Sequence, residues 1–142
     1  MRGGLVTASG PVDLGLGGCG RLRYVRTVPY LKIQTNVPVE SAARQDILRA
    51  ASRLVARELG KPESYVMVNV QSGQDLIFGG NNDPAAFVEL KSLGFAEDQA
   101  PRLSEMICGL LKESLRIDPR RIYIEMSDHP PGQWGWNNET FG

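Results

Sequence analysis

Histidine is almost missing from this chain: one residue, His129, in 142. Two cysteines, Cys19 and Cys108, are the only thiols. A metal centre therefore has little to draw on, and a disulfide-built scaffold is excluded. Long hydrophobic runs are missing as well. No segment approaches the roughly 20 consecutive apolar residues of a membrane-spanning helix, and none supplies the stretch of about 7–15 apolar residues that a secretory signal needs. Net charge is absent, with 16 Lys and Arg against 16 Asp and Glu, whereas a dedicated nucleic-acid binder would carry a basic footprint. What is present, 42% hydrophobic and 23% charged residues, is the composition of one globular domain long enough to bury a real core.

The neutral total conceals two unlike pieces. Residues 1–27 hold seven of the 16 glycines and four arginines (Arg2, Arg21, Arg23 and Arg26) against one acid, Asp13, so this stretch is near +3 and the remainder near −3. Its apolar residues follow no period, and glycine is costly to order. Gly15-Leu16-Gly17-Gly18-Cys19-Gly20 is literally G-x-G-x-x-G, but that phosphate-cradling turn works only between a strand and a helix N-terminus. Here Pro11-Val12-Asp13-Leu14 leads in, and a β-like stretch stopped by Pro29 leads out, so the motif is read as incidental. An arginine-rich, acid-poor segment would also suit an organelle transit peptide. The reading adopted is that residues 1–28 are a leader, disordered or not part of the native protein, ahead of a domain spanning 29–142.

That domain reads as one βαβ unit written twice. Tyr30–Thr35 alternates as a strand. Ser41 is a plausible N-cap for a helix through Leu59, with Ile47, Ala51, Leu54, Val55 and Leu59 on one face, and Gly60 and Pro62 end it. Tyr65–Val70 is the second strand, and a turn-rich connection follows, with a short strand suggested at Leu76–Phe78. The pattern then recurs as a strand Phe87–Leu93, a helix from about Glu97 or Gln99 to Leu115, and a strand Ile122–Met126. Tyr30 to Tyr65 and Phe87 to Ile122 are both 35 residues, and the two units are 57 apart, which implies duplication. Two parallel crossovers then give a four-stranded sheet with both helices on one face. The other face, with Tyr30, Tyr65 and Met67 opposing the inward strand residues, and the sheet edges call for a partner. The aromatic tail Trp134–Phe141 is expected to pack on a neighbour or line a pocket.

Several short motifs then line up. Val28-Pro29-Tyr30, Thr35-Asn36-Val37-Pro38, Gly60-Lys61-Pro62, Phe78-Gly79-Gly80, Cys108-Gly109-Leu110-Leu111, Trp136-Asn137-Asn138 and Thr140-Phe141 resemble, in the same order, those of the macrophage migration inhibitory factor family of the tautomerase superfamily. The resemblance covers about 80% of the chain, from Pro29 to the last residue. It implies an α+β two-layer sandwich with duplicated βαβ units and a four-stranded mixed sheet, assembled as a homotrimer. It also implies a cofactor-free isomerase, a keto–enol tautomerase acting on phenylpyruvate-like α-keto acids and dopachrome-like compounds. In animals it would imply cytokine signalling. No nucleic-acid or membrane partner is expected. The bacterial, cytoplasmic setting inferred here would give a host receptor a role only if the protein were secreted.

Keto–enol exchange needs a base that removes a proton beside a carbonyl and returns it at the other end. In the family this base is an N-terminal proline, and Pro29 matches it. An ordinary α-amino group titrates near about 7.7–8.0, and desolvation or a nearby cation shifts it toward neutrality. Within the chain the Pro29 nitrogen is a tertiary amide with no lone pair to offer. Two explanations fit: a protease cuts between Val28 and Pro29, or translation starts at a GTG codon read as Val28, and methionine removal then exposes Pro29. By the same resemblance Lys61 meets the substrate carboxylate, the Leu93 backbone N–H holds an oxygen, Tyr123 comes from the adjacent subunit, and Trp136 and Phe141, joined by Trp134, form the hydrophobic rim. Glu125 stands where well-known members have asparagine, and a carboxylate there would repel a keto acid. That departure and the blocked Pro29 favour the alternative, a non-catalytic trimeric binding or cytokine-like protein. A Cys-x-x-Cys segment is absent, Cys108 reads as a packing residue, and His129 as loop. Asn138-Glu139-Thr140 is formally a glycosylation sequon.

Overall fold

The computed structural model describes residues 28–142. The readings made for Met1–Thr27, including the glycine-rich motif and Cys19, lie outside the described residues. Strand β1 (Tyr30–Thr35) alternates as its sequence requires, burying Leu31, Ile33 and Thr35. Helix α1 (Ser41–Leu59) turns Ile47, Ala51, Leu54, Val55 and Leu59 inward. Its N-cap is Glu40, not the expected Ser41. The chain leaving Pro38-Val39 is still extended at Glu40, whose carbonyl takes the Arg44 N–H at 2.9 Å, so Ser41 is already helical. Gly60 closes the helix at φ 66°, with its N–H on the Ala56 and Arg57 carbonyls.

Strand β2 (Met67–Gln71) starts two residues later than expected, because Glu63–Tyr65 form a 3-10 turn after Pro62. The suggested strand at Leu76–Phe78 reduces to a single bridge between Phe78 and Asn81. Strand β3 (Ala86–Ser92), helix α2 (Ala100–Leu115) and strand β4 (Ile122–Asp128) complete the second unit. A 3-10 turn at Glu97–Gln99 occupies the expected first turn of α2. The tail folds on itself as a hairpin of β5 (Gly135–Trp136) and β6 (Glu139–Thr140). Asn137 and Asn138, at φ 53° and 67°, supply its two-residue turn.

The sheet order is β2-β1-β3-β4, parallel within each unit and antiparallel where β1 meets β3. Leu31, Ile33, Val88, Leu90 and Ile122 pack with Ile47, Val55, Leu103, Ile107 and Leu111 in one cluster beneath the helices. Each such burial contributes about 1.5–3 kcal/mol. Cys108 packs at the edge of this cluster, where burial pushes its thiol up, against an opposing hydrogen bond from Ser104. Among the described residues no helix is long and apolar enough to cross a membrane.

The face without helices is more polar than its sequence suggested. In register it carries Tyr30, Lys32 and Gln34; Met67, Asn69 and Gln71; Phe87, Glu89 and Lys91; and Tyr123, Glu125 and Ser127. Its large apolar side chains sit at two diagonal corners, because Tyr30 pairs with Met67 and Phe87 with Tyr123. Between the corners lie Lys32, Asn69, Glu89 and Glu125. This separation positions the candidate site.

Candidate functional site

One corner is a cleft of about 440 Å³ walled by Val28, Pro29, Tyr30, Ser64, Tyr65, Val66, Met67, Trp134, Gly135 and Trp136. Parallel pairing makes it. The Met67 N–H donates to the Pro29 carbonyl at 3.0 Å, so the turn entering β2 lies beside the residue entering β1. The C-terminal hairpin supplies the remaining wall. Trp136 meets Tyr65 edge-on at 5.9 Å and stacks on Phe141 at 5.8 Å, so Phe141 buttresses the rim without lining it. The lining is mostly aromatic and apolar, and such walls favour the neutral form of an amine. In the full chain, however, Pro29 is buried, Val28 beside it also lines the cleft, and the Pro29 nitrogen is an amide.

The other residues singled out from sequence fall into three groups. Lys61 follows the α1 cap, half-buried outside the cleft walls, and burial holds its ammonium below the usual lysine range. Leu93 is fully buried one residue past the end of β3, the end that lies beside the start of β1. Tyr123 and Glu125 do not join Pro29 within one chain. Tyr123 pairs across Phe87 to the level of Gln34, two strands and four residues from Tyr30, roughly 16 Å away by ordinary strand spacings. It is 63% exposed.

Tyr123 belongs instead to the second corner. Its ring lies 4.7 Å from that of Phe78, and the Arg121 guanidinium sits 5.2 Å over Phe78. Arg121 also donates to the carbonyls of Pro84 (3.0 Å), Asp83 (3.1 Å) and Asn81 (3.4 Å). From the other side, the Asn36 side chain donates to Asp83 and Asn82 and accepts the Ala85 N–H. These contacts explain the Asn36 and Phe78-Gly79-Gly80 motifs: they pin the loop that presents Phe78 to Tyr123.

Comparison with known proteins bears on the family and the fold. The sequence profile described as macrophage migration inhibitory factor (MIF) matches residues 28–142. The chain belongs to the macrophage migration inhibitory factor family. It is 40% identical over 116 residues to the macrophage migration inhibitory factor homolog of Brugia malayi, covering 81% of this chain and all of that one. It is 36% identical to the macrophage migration inhibitory factor of Mus musculus over 115 residues, 80% of this chain and 99% of the mouse protein. Among solved structures, the homologue from Prochlorococcus marinus superposes with a TM-score of 0.76 at 40% identity, over 80% of this chain and 99% of the other. The family membership places the chain in the tautomerase superfamily, and the fold matches.

Within this family member, sequence reasoning overlooked Tyr30, Ser64, Tyr65, Val66 and Met67 as cleft residues. Their signal was available. Strands 35 residues apart and joined by one helix pair in parallel, so whatever enters the second strand lies beside whatever enters the first.

Proposed function

We propose that a form of this chain beginning at Pro29 is a keto–enol tautomerase acting on phenylpyruvate-like α-keto acids, with dopachrome-like compounds as further candidates. The observation that carries the reading is the position of Pro29 on an aromatic cleft. A secondary amine there would take the proton beside the substrate carbonyl and return it to the opposite end of the enol. Lys61 would pair with the carboxylate and the Leu93 N–H would hold an oxygen. Trp134, Trp136 and Phe141 would enclose the ring and exclude water. In a homotrimer, Tyr123 of one copy would close the Pro29 corner of the next. The exposed Tyr123 corner and its diagonal placement support that assembly. Residues 1–28 would then be absent from the active protein, because only a free Pro29 nitrogen has a lone pair to act as a base.

The test is the intact mass of the protein from its native host, followed by phenylpyruvate ketonisation by the Pro29-first chain and by the full chain. The Pro29-first chain is expected to be faster by about 10²–10⁴, the usual contribution of a positioned base. Equal activity in both would refute the amine mechanism. A native species retaining Met1 would favour the second reading, a trimeric binding protein with a blocked proline, to which the Val28–Pro29 amide and Glu125 point.

A further inference from the structure

The proton-transfer scheme leaves unexplained what holds the Trp134 wall. Its indole is met edge-on by the imidazole of His129, with ring centroids 5.7 Å apart and 66° between planes. His129 is fastened twice to the end of the sheet. Its backbone N–H donates to the Ser92 carbonyl at 2.9 Å, and its Nε2 lies 3.0 Å from Ser127 Oγ. Ser92 closes β3 and Ser127 lies in β4, so the ring is tied to the most regular part of the fold. The Trp134 backbone is fixed separately, its N–H on the Pro131 carbonyl and its carbonyl accepting the Phe141 N–H, both at 3.2 Å. The indole therefore has a fixed root, with the imidazole edge-on against it. Trp134 is also part of the cleft wall.

We propose that His129 is a positioning residue: it holds the Trp134 indole flat against the cleft and so makes the site prefer keto acids carrying an aromatic ring over ring-less ones. The assignment rests on the tautomerase reading for its kinetic consequence, but not for the geometry it describes. His129 touches Trp134 and does not reach the reacting atoms. A ring entering the cleft gains an edge-to-face or stacked contact with a pre-placed indole, which a short aliphatic keto acid cannot make. Losing the imidazole frees the indole to turn, so the ring-bearing substrate loses that contact and the ring-less one loses nothing.

The kinetic test compares His129→Ala, His129→Phe and Ser127→Ala in the Pro29-first chain, with phenylpyruvate and pyruvate as probes. H129A is expected to raise KM for phenylpyruvate by roughly two- to tenfold, the range that one aromatic pair supplies, leaving kcat and the pyruvate KM nearly unchanged. H129F keeps a ring edge on the indole and should restore most of the loss. S127A removes only the ring's tether and should shift KM in the same direction by less, so it decides the question if H129A fails to fold. A second arm needs no catalysis. The chain has two tryptophans, so in a Trp136→Phe background fluorescence excited beyond the tyrosine absorption, and the long-wavelength edge of the near-UV circular dichroism, report Trp134 alone. Phenylacetate should quench that fluorescence and acetate should not. H129A should weaken the phenylacetate titration and flatten the near-UV band. If the chain proves to lack tautomerase activity, this arm still decides the assignment. The proposal is overturned if H129A shifts both keto acids equally, or leaves the Trp134 band and titration as they were.

Discussion

Asn36→Asp changes one NH2 group to an oxygen and almost nothing in size, yet it should be worse than Asn36→Ala. Asn36 Nδ2 lies 3.0 Å from the Asp83 carbonyl, 3.1 Å from that of Asn82 and 3.4 Å from that of Leu76, while Oδ1 accepts the Ala85 N–H at 3.0 Å. Three carbonyls on one side and one N–H on the other leave the amide a single orientation. Alanine removes three hydrogen bonds of 3.0–3.1 Å and strands the N–H of the buried Ala85, a loss of about 2 kcal/mol with two of the bonds open to water. Aspartate keeps the bond to Ala85 but aims a charged oxygen at three carbonyl oxygens, so the loss at neutral pH should reach about 3 kcal/mol or more. The pH dependence has a definite sign. Only the protonated carboxyl can donate to those carbonyls, so folding raises its pKa above the roughly 3.9 of a free aspartate. The added penalty is therefore full above the raised folded value, fades as the pH falls from there toward about 3.9, and is gone below it. Urea unfolding of the three chains at pH 7 and near pH 4 measures both effects. An N36D chain as stable as N36A at pH 7, or a gap between N36D and wild type that ignores pH, would refute the reasoning.

Other expectations follow from single observations. Leu111, on the inward face of α2, is completely buried, so Leu111→Ala should cost about 2–5 kcal/mol with an unchanged denaturant slope, read from equilibrium unfolding. Gly60→Ala must hold an L-residue at φ 66° and should cost about 1 kcal/mol, visible as a lowered Tm. Burial lowers the Lys61 pKa. If Lys61 pairs with the substrate carboxylate, KM for phenylpyruvate should be flat below that lowered value and rise as the pH climbs through it, and Lys61→Met should abolish the rise. Arg120 hydrogen-bonds the Asp118 side chain and holds its carboxyl down at about 2. Its contribution to stability is thus present above the ordinary carboxylate range and lost as the pH falls toward 2, and Asp118→Asn should lose that acid-range dependence.

Much of this protein was legible residue by residue, and the reasons are local. Alternation in Tyr30–Thr35, the one-sided apolar stripe of Ile47 to Leu59, and Gly60 ahead of Pro62 are properties of adjacent residues, and each produced its element at nearly the expected place. The duplicated 35-residue spacing was also visible, and with it the two-layer architecture. Boundaries slipped where competing local preferences were close in energy. Pro62 promotes a 3-10 turn that takes the first residues of the expected β2, and the extended backbone after Pro38-Val39 hands the N-cap to Glu40 instead of Ser41. The shape of the Asn137-Asn138 turn is written in its residue types, whereas the seating of that hairpin on Tyr65 is not.

The sequence alone determined the elements, their order and the chemical candidates, Pro29 above all, because propensity, capping and side-chain chemistry act within a few residues. Tertiary structure decided which candidates meet. Pro29, Tyr65, Trp134 and Trp136 share a cleft, while Tyr123 and Glu125 lie across the sheet on an edge strand. His129, in sequence a lone loop residue, supports a cleft wall. Backbone hydrogen bonds are the same for every residue type, so the partner of each strand and its register are settled only when the whole apolar face of the sheet is buried at once.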